Sequence, residues 1–302
     1  MRTDATIAVV GATGFVGRSL SKYLLDARPG RIRLYSRGGD TLAGRQISAI
    51  PVNASDFRNI DVVIHLAGIA HRKATEAEYK AVNVDLAMRT AELAHAAGVR
   101  RFVFVSSMLV HGRWSDAPLS PEGPYHPKSP FARSKVEAEQ RLQAFAARSG
   151  LDLAIVRSPL IYGPEAKGNF ALLARAARHG LPLPLGCAAA QRSMVSLQNF
   201  NDAILTLASR PVRPSTSTIL LPADERDLTV RQTYLELCRA ADRPGAVLNV
   251  PAAAMRLALT SLGRTETFES LFKPLLVDRS HWEQTGWSPP QPVSSGLKTA
   301  IA

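Results

Sequence analysis

The stretch TIAVVGATGFVG, residues 6–17, runs a β-branched apolar segment straight into three glycines spaced three apart. A tight turn, a close approach of backbone to a pyrophosphate and close helix–strand packing each favour a residue without Cβ. Gly11, Gly14 and Gly17 therefore fit a phosphate-binding strand-to-helix turn. The N–H groups that open the following helix face the phosphates, and Thr13, Phe15 and Val16 of the same turn are counted with the glycines as cofactor-binding. No Gly-Lys-Ser/Thr follows, which argues against an NTPase loop. Downstream, RSLSKYLLDA (18–27) places Leu20, Tyr23 and Leu24 on one helical face.

The same alternation continues. RIRLYS (31–36), DVVIHLAG (61–68) and RRFVFVSS (100–107) read as strands, the last two as near-continuous apolar runs suited to parallel strands covered on both faces. Between them EAEYKAVNVDLAMRTAELAHAAG is one long helical pattern ended by Gly98. The fold class is α/β, a doubly wound parallel sheet. His65, inside a strand run, is expected to be a packed, hydrogen-bonded core residue. At the end of the second strand an acidic residue would bind a ribose 2′-hydroxyl; Ser36 and Arg37 stand there instead, with Arg33 nearby. A guanidinium suits a 2′-phosphate, so NADP is favoured, with NAD as the alternative.

The 302 residues are 46% hydrophobic and 21% charged, and no apolar run is long enough to span a membrane. Asp4 and the glycines interrupt the N-terminal apolar run, which argues against a leader peptide. Two cysteines, Cys187 and Cys238, form no metal-spaced cluster or disulfide framework and suit a reducing cytoplasm. Net charge is +12, but the basic residues are scattered. A basic surface with anionic small ligands is favoured over nucleic acid, and no membrane insertion is expected.

With these residues in view, the chain resembles the extended short-chain dehydrogenases/reductases, in their nucleotide-sugar epimerase, dehydratase and 4-keto-reductase branch. The resemblance runs through GATGFVG, HLAG (65–68), FVSSMLVHG (104–112), FARSK (131–135), IVRSPLIYGP (155–164), GNF (168–170), RSMVSLQNFNDAI (192–204) and LLVDRSHWEQTGWSPP (275–290). It implies a Rossmann sheet over residues 1–164 with a returning segment at about 194–238. A smaller, interleaved substrate domain would cover 165–193 and 239–302. Leu66, Ala67 and Gly68 would lie beside the cofactor ribose, Val105 and Ser106 near the nicotinamide, and Pro159 near its carboxamide. Lys135 would hold the nicotinamide ribose, Ser107 the sugar's reacting oxygen, and Asn169 and Arg192 the diphosphate. His111 falls where relatives carry tyrosine and would line the sugar pocket. RHGLPLPLG (178–186) looks most like enzymes of surface-polysaccharide synthesis acting on UDP-linked sugars. A homodimer through the helices of 74–97 and 128–149 is a further implication.

Two departures stand out. Phe131 occupies the place of the family's catalytic tyrosine, four residues before Lys135 and so on the same helical face. The acidic residue of a V-D-N motif is missing from SLQN (196–199). Three readings follow. The first is an active reductase or epimerase at C4 of a UDP-hexose or UDP-4-keto-6-deoxy sugar, its proton passing through Ser107 and water to Lys135. Tyr125, His126 and His111 are alternative donors in that reading. The second is a cofactor-binding sensor or interaction module without turnover. The third is a single substitution in an otherwise ordinary enzyme.

Overall fold

Seven strands form one parallel sheet: β1 (Ile7–Val10), β2 (Ile32–Ser36), β3 (Ser48–Ala49), β4 (Val62–His65), β5 (Arg101–Ser107), β6 (Asp152–Ser158) and β7 (Ser217–Leu220). Their spatial order is β7-β6-β5-β4-β1-β2-β3, so the winding reverses between β1 and β4. The computed structural model describes residues 5–27, 31–38, 41–70 and 72–301; Asp4, weighed above in the reading of the N-terminus, lies outside them.

Alternate residues of each strand feed opposite faces, as the two-residue period requires. Ile7 and Val9 pack with Leu20 and Leu24 of α1 (Phe15–Ala27) and with Phe200, Ile204 and Leu207 of α6 (Leu197–Ser209). Ala8 and Val10 pack with alanines of α3 (Leu86–Ala96) and with Ala138, Leu142 and Ala146 of α4 (Pro130–Ser149). Both faces are thus covered, which explains the apolar runs. Tyr23 does not join the buried face of α1: that face is Gly17, Leu20, Ser21, Leu24 and Leu25, and the Tyr23 ring is exposed.

The long helical pattern after β4 is not one α-helix. A short α2 (Glu76–Tyr79) passes into a π-turn over Lys80–Asp85 before α3 begins. The buried Asn83 side chain sits in this turn, accepting from the Ile69 backbone N–H at 2.8 Å and donating to Ser134 Oγ at 2.9 Å. A π-turn re-aims one residue within a helix; here it carries Asn83 toward the loop after β4.

A third hydrophobic cluster, outside the sheet, gathers α5 (Gly168–Arg178), α7 (Val230–Ala240) and α11 (Val293–Ile301). Thr229 caps α7 with Gln232 in a reciprocal box. The expectation that α7 returns to the sheet is corrected: Tyr234, Leu237 and Cys238 pack with Phe170, Ala177 and Leu297, because their apolar face meets α5 and α11. Among the described residues no helix is long and apolar enough to cross a membrane.

Candidate active site

The carboxyl ends of β1 and β4 meet at the reversal in winding, where open parallel sheets bind ligands. Gly11 has φ +96°, and a Cβ there would stand 2.6 Å from the Ala67 backbone nitrogen. Gly11 and Ala12 both donate to the Tyr35 carbonyl, at 2.9 and 3.1 Å, which draws the turn across β2. A Cβ on Gly17 would strike the Gly11 carbonyl and lie 2.9 Å from the Ala12 carbonyl carbon. Thr13, Phe15 and Val16 are half-buried around this turn, and Gly14 is exposed. At the end of β2 the Ser36 hydroxyl donates to the Gly38 carbonyl at 2.8 Å, and Arg37 is exposed.

Across the reversal, Leu66 donates to the Val10 carbonyl at 2.8 Å, while Ala67 is half-buried and Gly68 exposed. A Cβ on Gly68 would lie 3.1 Å from Asn83 Oδ1 and 3.5 Å from Lys135 Nζ. Asn83 is a site residue the sequence reading missed. Its only signal was a polar residue within the apolar pattern KAVNVD.

At the end of β5, Ser107 Oγ accepts from the Leu109 N–H at 3.2 Å and caps the 3₁₀ turn Met108–His111. The Ser106 hydroxyl is buried with no partner. Ser158 donates to the Ser106 carbonyl at 3.1 Å, and Pro159 beside it is buried. Helix α4 is set by Ser129, whose side chain accepts from the Ala132 N–H, and by Pro130 in the first turn. This places Lys135 Nζ 2.9 Å from the Val105 carbonyl and 4.6 Å above the centroid of the Phe104 ring. Burial strips water from its ammonium and pulls the pKa down to about 8, against the opposing pull of Glu139. Phe131, one turn earlier, is half-buried with its ring 6.3 Å from that of Tyr79.

Behind Lys135 lies a closed polar network. Arg157 and Glu139 form a fully buried ion pair at 2.7 Å. The Tyr125 hydroxyl donates to Glu139 and accepts from Arg157, both at 2.9 Å. Arg157 also donates to His111 Nε2 at 2.9 Å, so the His111 proton resides on Nδ1, which gives it to the Pro124 carbonyl at 3.0 Å. The expectation that His111 lines the sugar pocket is therefore corrected: its ring is buried and both nitrogens are used. The same network commits Tyr125, whose phenol burial and Glu139 push up to about 12, so it is not a free proton donor.

His65 also differs from expectation. It is fully buried, stacked on Phe102 and Phe104, but neither ring nitrogen makes a hydrogen bond. Burial first, then the Lys135 charge, pull its pKa down to about 3; the nearby Ala67 backbone acts weakly the other way without reaching hydrogen-bonding geometry. The ring is neutral at all ordinary pH.

Asn169 lies exposed in the first turn of α5. Arg192 is half-buried; it donates to the Lys273 carbonyl at 2.9 Å and the Arg113 carbonyl at 3.2 Å. Burial draws its pKa down to about 10. The SLQN segment meets a buried carboxylate from elsewhere in the chain. Asp224, in the loop after β7, accepts from Asn199 Nδ2 at 2.7 Å, from the Ser196 N–H at 3.1 Å and from the Tyr162 hydroxyl at 2.6 Å.

A parallel sheet with a glycine cradle, two strand-end serines and a buried lysine beside them define an α/β enzyme built around a dinucleotide. The chain belongs to the NAD dependent epimerase/dehydratase family, whose model matches residues 7–221. It is 34% identical to the UDP-glucose 4-epimerase of Vibrio cholerae, over 97% of this chain and 93% of the relative. It is 32% identical to the ceramide reductase of Caulobacter vibrioides, over 80% of this chain and 71% of the relative. Among solved structures it resembles MoeE5 in complex with UDP-glucose and NAD, at 25% identity and TM-score 0.74, covering 98% of this chain and 97% of the other.

Proposed function

We propose that the protein is an NAD(P)-dependent enzyme acting at C4 of a UDP-sugar, by epimerisation or by reduction of a 4-keto sugar, in surface-polysaccharide synthesis. The observation that carries this is the buried Lys135 ammonium, held by the Val105 carbonyl beside Ser107 and Gly68 at the winding reversal. The cradle fits a dinucleotide: a side chain on Gly11 would fill the space against Ala67, and the Ser106 hydroxyl is buried without a protein partner. Gly11, Thr13, Gly14, Phe15, Val16 and Gly17 would hold its pyrophosphate. Leu66, Ala67, Gly68, Val105, Ser106, Lys135 and Pro159 would surround the ribose and nicotinamide. The nicotinamide, when bound, supplies hydride exchange at the sugar carbon.

The chain's own residues handle the proton. Ser107 Oγ accepts one hydrogen bond from backbone, which leaves its O–H hydrogen for the sugar's reacting oxygen. Lys135, with a pKa drawn to about 8, gives and recovers a proton near neutral pH and stabilises negative charge on that oxygen. Water between the two replaces the phenol that Phe131 lacks. Arg192, with Asn169, would grip the diphosphate; a guanidinium suits that task. Ser36 and Arg37, which follow one another at the end of β2, support NADP over NAD. The free thiols of Cys187 and Cys238 support a cytoplasmic setting. The adjoining α2–α3 and α4 helices support a homodimer through that face, and the α5–α7–α11 cluster supports a separate substrate lobe.

The missing phenol favours one other reading, a sensor that binds cofactor without turnover. Incubation with NAD or NADPH and UDP-glucose, UDP-GlcNAc or a UDP-4-keto-6-deoxy sugar, followed by NMR at C4, separates the two. Turnover is expected; tight binding of both ligands with no conversion would establish the sensor. Nicotinamide fluorescence should show NADPH bound more tightly than NADH, and Arg37→Ala should erase that preference; equal affinities would remove the NADP assignment.

A further inference from the structure

Residues 166–193 and 243–265 contain no acidic residue, although the chain holds 25 Asp and Glu. Between them they carry Lys167 and six arginines. The two stretches are joined in space. Leu183 and Val247 pair as a bridge, Leu248 donates to the Leu183 carbonyl at 2.8 Å, and Arg243 Nε donates to the Arg178 carbonyl at 3.2 Å. Among the described residues, no ion pair joins Arg175, Arg178, Arg243, Arg256 or Arg264 to a carboxylate; the ion pairs of the surrounding segments involve Arg113, Arg226, Arg239 and Arg279 instead.

Exposed leucines fall within the second stretch. Leu257 and Leu262 are 72% and 71% exposed and Leu248 is 53% exposed. Helix α8 (Ala252–Ser261) buries no residue, and neither does α9 (Thr265–Phe272), the helix it lies against. Arg256 is the single charge on α8. A leucine exposed alone needs no explanation, but Leu257 and Leu262 stand on and just after a helix that buries nothing and carries Arg256 as its single charge, with Arg264 following, and such a segment marks a contact surface.

The charge decides what that contact is. A second copy of this chain, meeting it about a twofold axis, would set cations against cations. A polynucleotide would satisfy the arginines and leave the leucines in water. An anionic bilayer satisfies both, because cations pair with lipid phosphates while aliphatic side chains enter the boundary between headgroups and acyl chains. We infer that the α8 hairpin and the adjoining acid-free loops form a docking surface for anionic phospholipid, with Leu248, Leu257 and Leu262 as the inserted side chains. The helix lies in the interface and does not span it. Glu266 of α9 pairs with Arg113, and the Lys273 carbonyl accepts from Arg192, so docking holds the Arg192 rim of the site beside the lipid.

The test is sedimentation of the full chain with vesicles of phosphatidylcholine alone and of phosphatidylcholine mixed with phosphatidylglycerol. Binding to the mixed vesicles is expected to be about tenfold or more tighter than to the neutral ones, and to weaken with salt. Leu257→Ser with Leu262→Ser should lower it about tenfold at an unchanged melting temperature, since both side chains already face water. Absence of binding to the mixed vesicles overturns the inference. So does equal binding by the double variant, which would reduce the effect to adhesion of a basic protein. Self-association in sedimentation velocity that the double variant abolishes would instead assign the face to a second copy.

Discussion

Phe131→Tyr would place a hydroxyl one turn before Lys135, where the resemblance to the short-chain dehydrogenases/reductases puts a tyrosine, and the frame around it is already set. Ser129 and Pro130 fix the start of α4, the ring is half-buried beside Tyr79, and Lys135 stands one turn later. Side chains so spaced lie about 6 Å apart; at an effective dielectric of about 20 an ammonium at that distance favours a phenolate by about 2.8 kcal/mol. That is about 2 pKa units, which brings the phenol from about 10 to about 8. The new group would match Lys135, itself drawn to about 8 by burial. A matched general acid–base contributes about 10²–10⁴-fold, so turnover should rise by at least about 10²-fold. In the direction that removes a proton from the sugar, the rate should climb with pH through about 8. The assay is steady-state turnover of a UDP-sugar with cofactor, alongside cofactor affinity by nicotinamide fluorescence. Affinity should barely move, because the ring already fills its space. A variant that binds both ligands and turns over no faster would refute the reasoning, since the proton step would not be what Phe131 limits.

Three further outcomes follow from the same geometry. Lys135→Met should abolish turnover yet leave stability at pH 7 no lower than the parent, measured by urea unfolding. The folded-state pKa of Lys135 is depressed to about 8, so its charge costs stability below that pH, and the cost fades as pH rises through about 8 toward the unfolded value of about 10.4. The advantage of the methionine variant should shrink over that window, and a constant gap would contradict the buried-cation reading. Glu139→Gln leaves Arg157 as an uncompensated buried charge and should cost about 3–5 kcal/mol in the same unfolding measurement; a loss under about 1 kcal/mol would show that the network is not closed. Gly11→Ala forces a Cβ against the Ala67 backbone at positive φ; it should cost about 1–3 kcal/mol and weaken cofactor binding, and unchanged affinity by fluorescence would dissociate this turn from the cofactor.

Much of the fold around the candidate site was legible because its signals are local. The glycines of residues 11–17, the apolar runs of β4 and β5, the cap at Ser129 and the spacing from Phe131 to Lys135 each act within one turn or one strand. Parallel strands covered on both faces need unbroken apolar stretches, and those are written in sequence. The family match over residues 7–221 agrees with that reading.

What tertiary structure alone decided depends on partners far apart in the chain. His111 reads like a pocket residue until Arg157, 46 positions away, takes its ring nitrogen. Asn83 looks like a polar interruption until the π-turn brings it to Ile69 and Ser134. Asn199 finds its buried carboxylate only at Asp224, 25 residues later. Helix α7 follows a sheet strand in sequence but packs with α5 and α11. The amino-acid sequence by itself determined the sheet and the glycine turn, since periodicity and steric need are local properties. The pairing of buried polar groups was decided by the fold, because a buried charge must find its counter-charge in space and nothing in chain order says where that will be.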